Sequence, residues 1–156
     1  MKTKIYAAYG SNMNIFQMQY RCPSAKLIGT TILDNYKLTF RGKKRGVANI
    51  ERSKDNQVPI VLWEITEECE KSLDKYEGFP TLYVKIEIEV IVDGEVKKAM
   101  AYVMNTVYEN FISIPHENYV RKILKGYEDN GIDKDTVYNA LQETYYEISE
   151  NTLKVI

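Results

Sequence analysis

Two groups of residues have the types and placement to do chemistry: Tyr9-Gly10-Ser11-Asn12-Met13 and Glu77. The first follows a short apolar and aromatic run, Lys4 to Tyr9, and precedes a helical segment. A tight glycine turn at such a junction aims backbone N–H groups outward, and the helix dipole adds partial positive charge. That is a receptor for a carboxylate, a phosphate or a developing oxyanion, with Gly10 allowing positive φ or close approach of a ligand. A plain strand-to-helix turn is the reading that stands beside it. Glu77 lies in Tyr76-Glu77-Gly78-Phe79-Pro80, at the C-terminal end of a predicted helix. The dipole there disfavours negative charge by ~0.3–1 kcal/mol when exposed, and Tyr76, Phe79 and Pro80 make the surroundings apolar. Both effects push the carboxyl pKa upward, toward the range of a general base. A solvated glutamate at a frayed helix end is the competing reading.

Scarce residues narrow the chemistry. The chain of 156 residues has 1 His and 2 Cys but 13 Tyr. It cannot build a Cys/His zinc cluster, and any Ser-His-Asp or Cys-His apparatus would have to use His116. His116 follows Pro115 in a loop and reads as a surface residue near a helix cap. Cys22 and Cys69 read as small buried hydrophobes, and a disulfide framework is excluded. The proton-transfer group of an enzyme would then be a carboxylate, Tyr or Lys; a metal site made of carboxylates stays open. Lys+Arg is 21 against Asp+Glu 22, a net charge of -1, so no strong field recruits nucleic acid or an anionic membrane. Lys43-Lys44-Arg45 is a solvated basic loop flanked by glycines, with a phosphate patch as the lesser reading. There is no signal-type leader and no run near the ~18 apolar residues of a membrane span, so the chain reads as cytoplasmic.

These residues need elements to position them. Lys4 to Tyr9 reads as a strand. Asn14 caps a short helix, with Gln17 completing a capping box, Met13 and Met18 forming a hydrophobic staple, and Pro23 ending it. Strand-like runs follow at 26–33, 36–41, 47–50 and 58–65, separated by Asp34-Asn35, Gly42 to Gly46, and Asp55-Asn56. Thr66 caps a helix with Cys69, Leu73 and Tyr76 on one face, stopped by Gly78. Leu82 to Val92 alternates with period two, Asp93-Gly94 is a hairpin signal, and Val96 to Met104 returns. Two helices finish the chain. One carries Val120, Ile123, Leu124 and Tyr127; the other carries Val137, Leu141 and Tyr145 behind an Asp133 cap. The expected fold is α+β, one domain over 1–156, with a mainly antiparallel, curled sheet and flanking helices.

Ala7-Ala8-Tyr9-Gly10-Ser11-Asn12-Met13, then Asp74-Lys75-Tyr76-Glu77-Gly78, then Tyr83 opening a long strand, resemble the gamma-glutamylcyclotransferase-like family. Pro23, Val61-Leu62-Trp63, Tyr102 and Asn118-Tyr119 fall in the same order. The resemblance implies a small, mixed, mainly antiparallel β-barrel-like sheet with flanking helices and a pocket at one end. It implies cyclisation of a gamma-glutamyl amide or peptide to 5-oxoproline with release of an amine or amino acid. Glu77 would be the catalytic acid and base. Tyr9, Gly10, Ser11, Asn12, Met13, Tyr83 and Tyr119 would bind substrate, and Tyr102 is a weaker candidate. No metal or cofactor is implied, because the substrate supplies its own nucleophile. A small gamma-glutamyl compound is then the partner, with no nucleic acid and no membrane; the leaving group and the oligomeric state stay open. The alternative from another class is a non-catalytic small-molecule binding or interaction domain on the same fold.

Overall fold

A computed structural model describes residues 2–155, with side chains to residue 152. The elements in chain order are β1 (Thr3–Ala8), a 3-10 turn (Ser11–Met13), α1 (Ile15–Arg21), β2 (Lys26–Arg41), β3 (Val47–Thr66), α2 (Glu67–Glu77), β4 (Tyr83–Val92), β5 (Glu95–Met104), α3 (Thr106–Glu109), α4 (Glu117–Asp129) and α5 (Asp135–Val155). The sheet has the order β2-β3-β1-β5-β4. Only the β1–β5 pairing is parallel; β2–β3, β1–β3 and β4–β5 are antiparallel. The mixed, mainly antiparallel α+β reading therefore holds. The sheet is open, however: β2 and β4 are its two edges and do not pair, so the barrel-like closure is not formed.

Local sequence explains most boundaries. Asn14 caps α1 by accepting from the Gln17 amide at 3.0 Å. The reciprocal half of the expected capping box is absent, because Gln17 Oε1 accepts instead from Arg21. Thr66 caps α2 through the Cys69 amide, and Gly78 ends it at φ 67, the left-handed conformation a helix stop requires. Asp93 and Gly94 have φ values of 51 and 78, the double positive φ of a type I′ hairpin.

Two sets of turn-formers were absorbed into strands. Asp34-Asn35 and Asp55-Asn56 do not separate short strands; they lie inside β2 and β3. Asp34 pairs with Gln57 and Tyr36 with Arg52, so β3 carries extra residues at an irregularity in the ladder. Asn35 and Asp55 take positive φ there, as bulge positions tolerate. The long pairing of β2 with β3 outcompetes local turn preference because the ladder resumes on both sides.

Val58 to Trp63 are buried without alternation, because β3 is an inner strand covered on both faces. On α4, Val120, Ile123 and Tyr127 face the core as their spacing predicts. On α5 the inward face is Val137, Ala140 and Thr144, with Leu141 partly buried; Tyr145 is exposed, which corrects its place in the stripe. Cys22 and Cys69 are buried as expected, but they are joined as a disulfide between the end of α1 and the first turn of α2, with Cα atoms 5.1 Å apart. Residue spacing along the chain cannot show this, since 47 positions separate the two. No helix among the described residues is long and apolar enough to cross a membrane.

Candidate active site

A cavity of about 260 Å³ opens where the C-terminal end of β1, the turn after it, the start of β3, the end of α2, the start of β4 and α4 converge. Tyr9, Gly10, Ser11, Asn12, Glu77, Tyr83, Tyr102 and Tyr119 all line it. Met13 does not: its side chain is fully buried in the core. Tyr6, Arg45, Val47, Ala48, Tyr76 and Leu82 line the cavity as well, and sequence reasoning did not single them out for it. Tyr6 reads as a strand residue and Tyr76 as part of an apolar helix stripe. Their positions at the C-terminal ends of β1 and α2 were the available signal.

The turn keeps its amides free. Met13 N–H bonds the Gly10 carbonyl and Asn14 N–H that of Ser11, both at 3.1 Å. The Ser11 and Asn12 amides have no protein acceptor among the described residues, because a 3-10 turn leaves its first donors unpaired. Gly10 has φ -122, so positive φ is not the reason for glycine. Room is: a Cβ here would lie 3.2 Å from Ala48 Cβ and 3.7 Å from the Tyr119 hydroxyl. Behind the turn, α4 approaches at Gly126, whose added Cβ would fall 2.7 Å from the Asn14 nitrogen. Asn130 donates to the Met13 carbonyl at 3.0 Å and Asn14 to that of Lys122 at 3.1 Å. The turn is thus held by α4 at a distance only glycine permits.

Glu77 is the last residue of α2 and, among the described residues, the only carboxylate lining the cavity. Burial pushes its pKa up to about 7, against an opposing pull from the Arg21 guanidinium. Asn12 Nδ2 donates to Glu77 Oε1 at 3.4 Å and to the Tyr6 hydroxyl at 2.9 Å. Asn12 Oδ1 accepts from Arg21 Nη1. That guanidinium lies 3.5 Å from the centroid of the Tyr76 ring, and the Tyr76 hydroxyl is 3.1 Å from Ser11 Oγ.

The tyrosine hydroxyls divide by what their protons already do. Tyr9 donates to the Tyr102 carbonyl and Tyr83 to the Ala48 carbonyl. Their oxygens keep lone pairs able to accept from an ammonium. Tyr119 is the converse: it accepts from Ala48 N–H at 2.9 Å, so its proton is free to donate. Burial, reinforced by the Glu77 charge, pushes the pKa of Tyr6, Tyr9 and Tyr83 far up, and burial does the same for Tyr119. All four are therefore neutral hydrogen-bonding groups rather than bases. Tyr102 is both wall and core. Its hydroxyl donates to Asp74 Oδ1 and its ring meets Tyr6 edge-on at 5.8 Å. His116 caps α4, accepting from Asn118 N–H at 3.4 Å, and stands outside the cavity. No group of three or more His, Cys, Asp or Glu that could hold a metal occurs among the described residues.

Known proteins share this arrangement of chain. Residues 6–121 match the family described as Gamma-glutamyl cyclotransferase, AIG2-like. Gamma-glutamylcyclotransferase of Mus musculus is 33% identical over 144 residues, covering 86% of this chain and 75% of that protein. The Homo sapiens enzyme of that name is 33% identical over 138 residues, covering 82% of this chain and 72% of its own. A solved structure named gamma-glutamyl cyclotransferase superposes with a TM-score of 0.77 at 28% identity, covering 89% of this chain and 86% of that one. The matched span runs from the strand before the glycine turn, through Glu77, to the helix bearing Tyr119, and on that ground the chain belongs to the gamma-glutamyl cyclotransferase, AIG2-like family.

Proposed function

We propose that the protein cyclises a gamma-glutamyl amide or peptide to 5-oxoproline, with Glu77 as the proton-transfer group. The observation that carries this reading is a carboxyl, raised to about 7 by burial, that lines one cavity with Ser11 and Asn12, whose backbone amides have no protein acceptor among the described residues. In the reaction the substrate's own α-amine attacks its γ-carbonyl carbon, a five-membered lactam closes, and the C–N bond to the leaving amine breaks. At neutral pH that α-amine is largely ammonium and cannot attack. Ionised Glu77 takes one proton from it, protonated Glu77 then gives that proton to the departing nitrogen, and the re-ionised carboxylate takes the second proton from the attacking nitrogen as the lactam forms. A carboxyl pKa near the working pH suits both transfers. The nucleophile belongs to the substrate, so the residues need only bind, orient and move protons.

The free amides of Ser11 and Asn12 suit the substrate's α-carboxylate or the oxyanion that develops on the γ-carbonyl. The Tyr83 and Tyr9 oxygens can accept from the α-ammonium, and the Tyr119 proton can be donated to a substrate oxygen. Together they would hold the folded conformer that brings amine to carbonyl, a second source of rate.

The test is to incubate the purified protein with gamma-glutamyl amino acids and gamma-glutamyl alkylamines and to follow 5-oxoproline. Glu77→Gln should lower the rate by roughly 10²–10⁴-fold. Absence of 5-oxoproline from every substrate tried would remove the activity. The activity would be present without this mechanism if Glu77→Gln turned over as fast as the parent protein.

A further inference from the structure

We propose that Arg21 is a positioning residue for the reaction: it locks the Asn12 amide with its NH2 toward Glu77, so that protonated Glu77 must direct its hydrogen into the cavity. The proposal rests on the reading of Glu77 as the acid and base.

It starts from what each neighbour of Asn12 can do. The two ends of an amide are nearly the same size, so packing alone does not choose between them. The Tyr6 hydroxyl, 2.9 Å from Nδ2, donates or accepts equally well. Glu77, 3.4 Å from Nδ2, accepts when ionised but can donate when protonated, which is its state midway through the cycle. Neither partner therefore fixes the amide through a turnover. Arg21 can only donate and cannot be deprotonated. Because its Nη1 meets Asn12 Oδ1, the oxygen is committed to α1 and the NH2 to Glu77. An Asn12 free to flip would turn its oxygen to protonated Glu77 and hold the proton there. With Arg21 in place that trap is closed, and the leaving nitrogen is the acceptor that remains.

Arg21 is built for holding rather than for binding. It does not line the cavity. Its Nη2 donates to Gln17 Oε1 at 2.9 Å, one turn back on α1. Its guanidinium plane has the Tyr76 ring beneath it at 3.5 Å. The next residue, Cys22, is bonded to Cys69 of α2, which anchors the end of α1 beside the helix that carries Glu77. The tyrosines lining the cavity around Glu77 are Tyr6 and Tyr9 from β1 and its end, Tyr76 on α2, Tyr83 on β4, Tyr102 on β5 and Tyr119 on α4. Burial pushes the Tyr6, Tyr9, Tyr83 and Tyr119 hydroxyls up and so keeps them neutral, and Arg45 is the cation at the cavity wall.

The experiment compares the pH dependence of kcat and kcat/KM for the parent protein, Arg21→Met and Arg21→Lys, with gamma-glutamyl-alanine and gamma-glutamyl-ethylamide as substrates. Glu77→Gln serves as reference. Arg21→Met is expected to lose about tenfold or more in kcat with KM within about twofold, and its acid limb should move to higher pH because the cation that favours ionised Glu77 is gone. Arg21→Lys keeps a donor-only cation and should recover most of kcat. Added millimolar guanidinium should partly restore Arg21→Met. If Arg21→Met does not fold, the lysine variant decides: activity within about threefold of the parent supports the proposal, and a larger loss with an unmoved acid limb overturns it. Unchanged kcat in Arg21→Met, or a loss confined to KM, also overturns it. Glu77→Gln separates the two readings. An inactive Glu77→Gln beside an unaffected Arg21→Met removes Arg21 alone, whereas an active Glu77→Gln removes the mechanism on which the proposal rests.

Discussion

At the residue scale, the proposed mechanism makes Glu77 a point of conflict between stability and function. Its folded-state pKa, about 7, lies above the ~4.3 of an exposed glutamate. A carboxyl raised in this way favours the folded state below the unfolded value, and that contribution is lost as pH rises through the folded value. Glu77→Gln should therefore be more stable than the parent at pH 8, by on the order of 3–4 kcal/mol, and differ little at pH 4. Urea unfolding at the two pH values measures this, and equal stabilities at pH 8 would contradict it. Under the proposed mechanism the activity should behave oppositely: kcat/KM of the parent should rise through about pH 7 on its acid side as Glu77 ionises. The tyrosines predict a second contrast. Tyr119→Phe removes a free donor and leaves Ala48 N–H without its partner, whereas Tyr83→Phe leaves the Ala48 carbonyl without one. Both should cost about 1–2 kcal/mol of stability. Under the proposed mechanism both should also lower kcat/KM, which steady-state assays would read.

At the element scale, the site depends on how closely two elements approach. A Cβ on Gly126 would come within 2.7 Å of the Met13 carbonyl carbon and 2.8 Å of Met13 Cβ. Gly126→Ala must push α4 off the turn. It should destabilise by about 2–3 kcal/mol, within the range of overpacking, and reduce activity more than any change on the exposed face of α4. Thermal unfolding alongside 5-oxoproline assays tests both parts; an alanine variant with unchanged kcat/KM would show that the turn does not need α4 at this distance. Glycine at this helical position carried no visible signal in the sequence, where an isolated glycine within an apolar-periodic helix reads simply as tolerated. The boundaries of α1, α2 and the β4–β5 hairpin were legible because caps, a glycine stop and an Asp-Gly pair act within a few residues. The long β2 and β3 were not, because pairing across the ladder overrode the turn preference of Asp34-Asn35 and Asp55-Asn56.

At the scale of the whole molecule, an ion-pair network and a disulfide are among the links that hold the helices to the sheet and to each other. Arg41, 5% exposed, pairs with Glu51 at 2.9 Å and with Glu147 of α5 at 3.4 Å. Cys22–Cys69 joins α1 to α2 across 47 positions. Closing a loop of that size contributes about 2–4 kcal/mol, chiefly through the unfolded state. Replacing both cysteines by serine should lower stability to urea by about that amount, and a reductant should lower the parent but not the double variant. Equal response of the two proteins to reductant would exclude a stabilising cross-link.

The sequence by itself determined the local pieces: strand, glycine turn and capped helix at the N-terminus, a glutamate closing α2, and a period-two strand after it. Each follows from short-range forces, namely steric freedom at glycine, amide satisfaction at caps and the alternation of side chains on a strand. It also excluded a Cys/His zinc cluster, since the residues are too few, and left His116 as the one histidine a triad could use. Only the tertiary structure decided that the turn and Glu77 share one cavity, that Met13 turns to the core, that the sheet stays open, and that the cysteines meet. It also decided that Arg21, one arginine among many basic residues, sits against Asn12. Those are contacts between residues far apart in the chain, set by packing and by the satisfaction of buried polar groups, and neither leaves a periodic trace in the sequence.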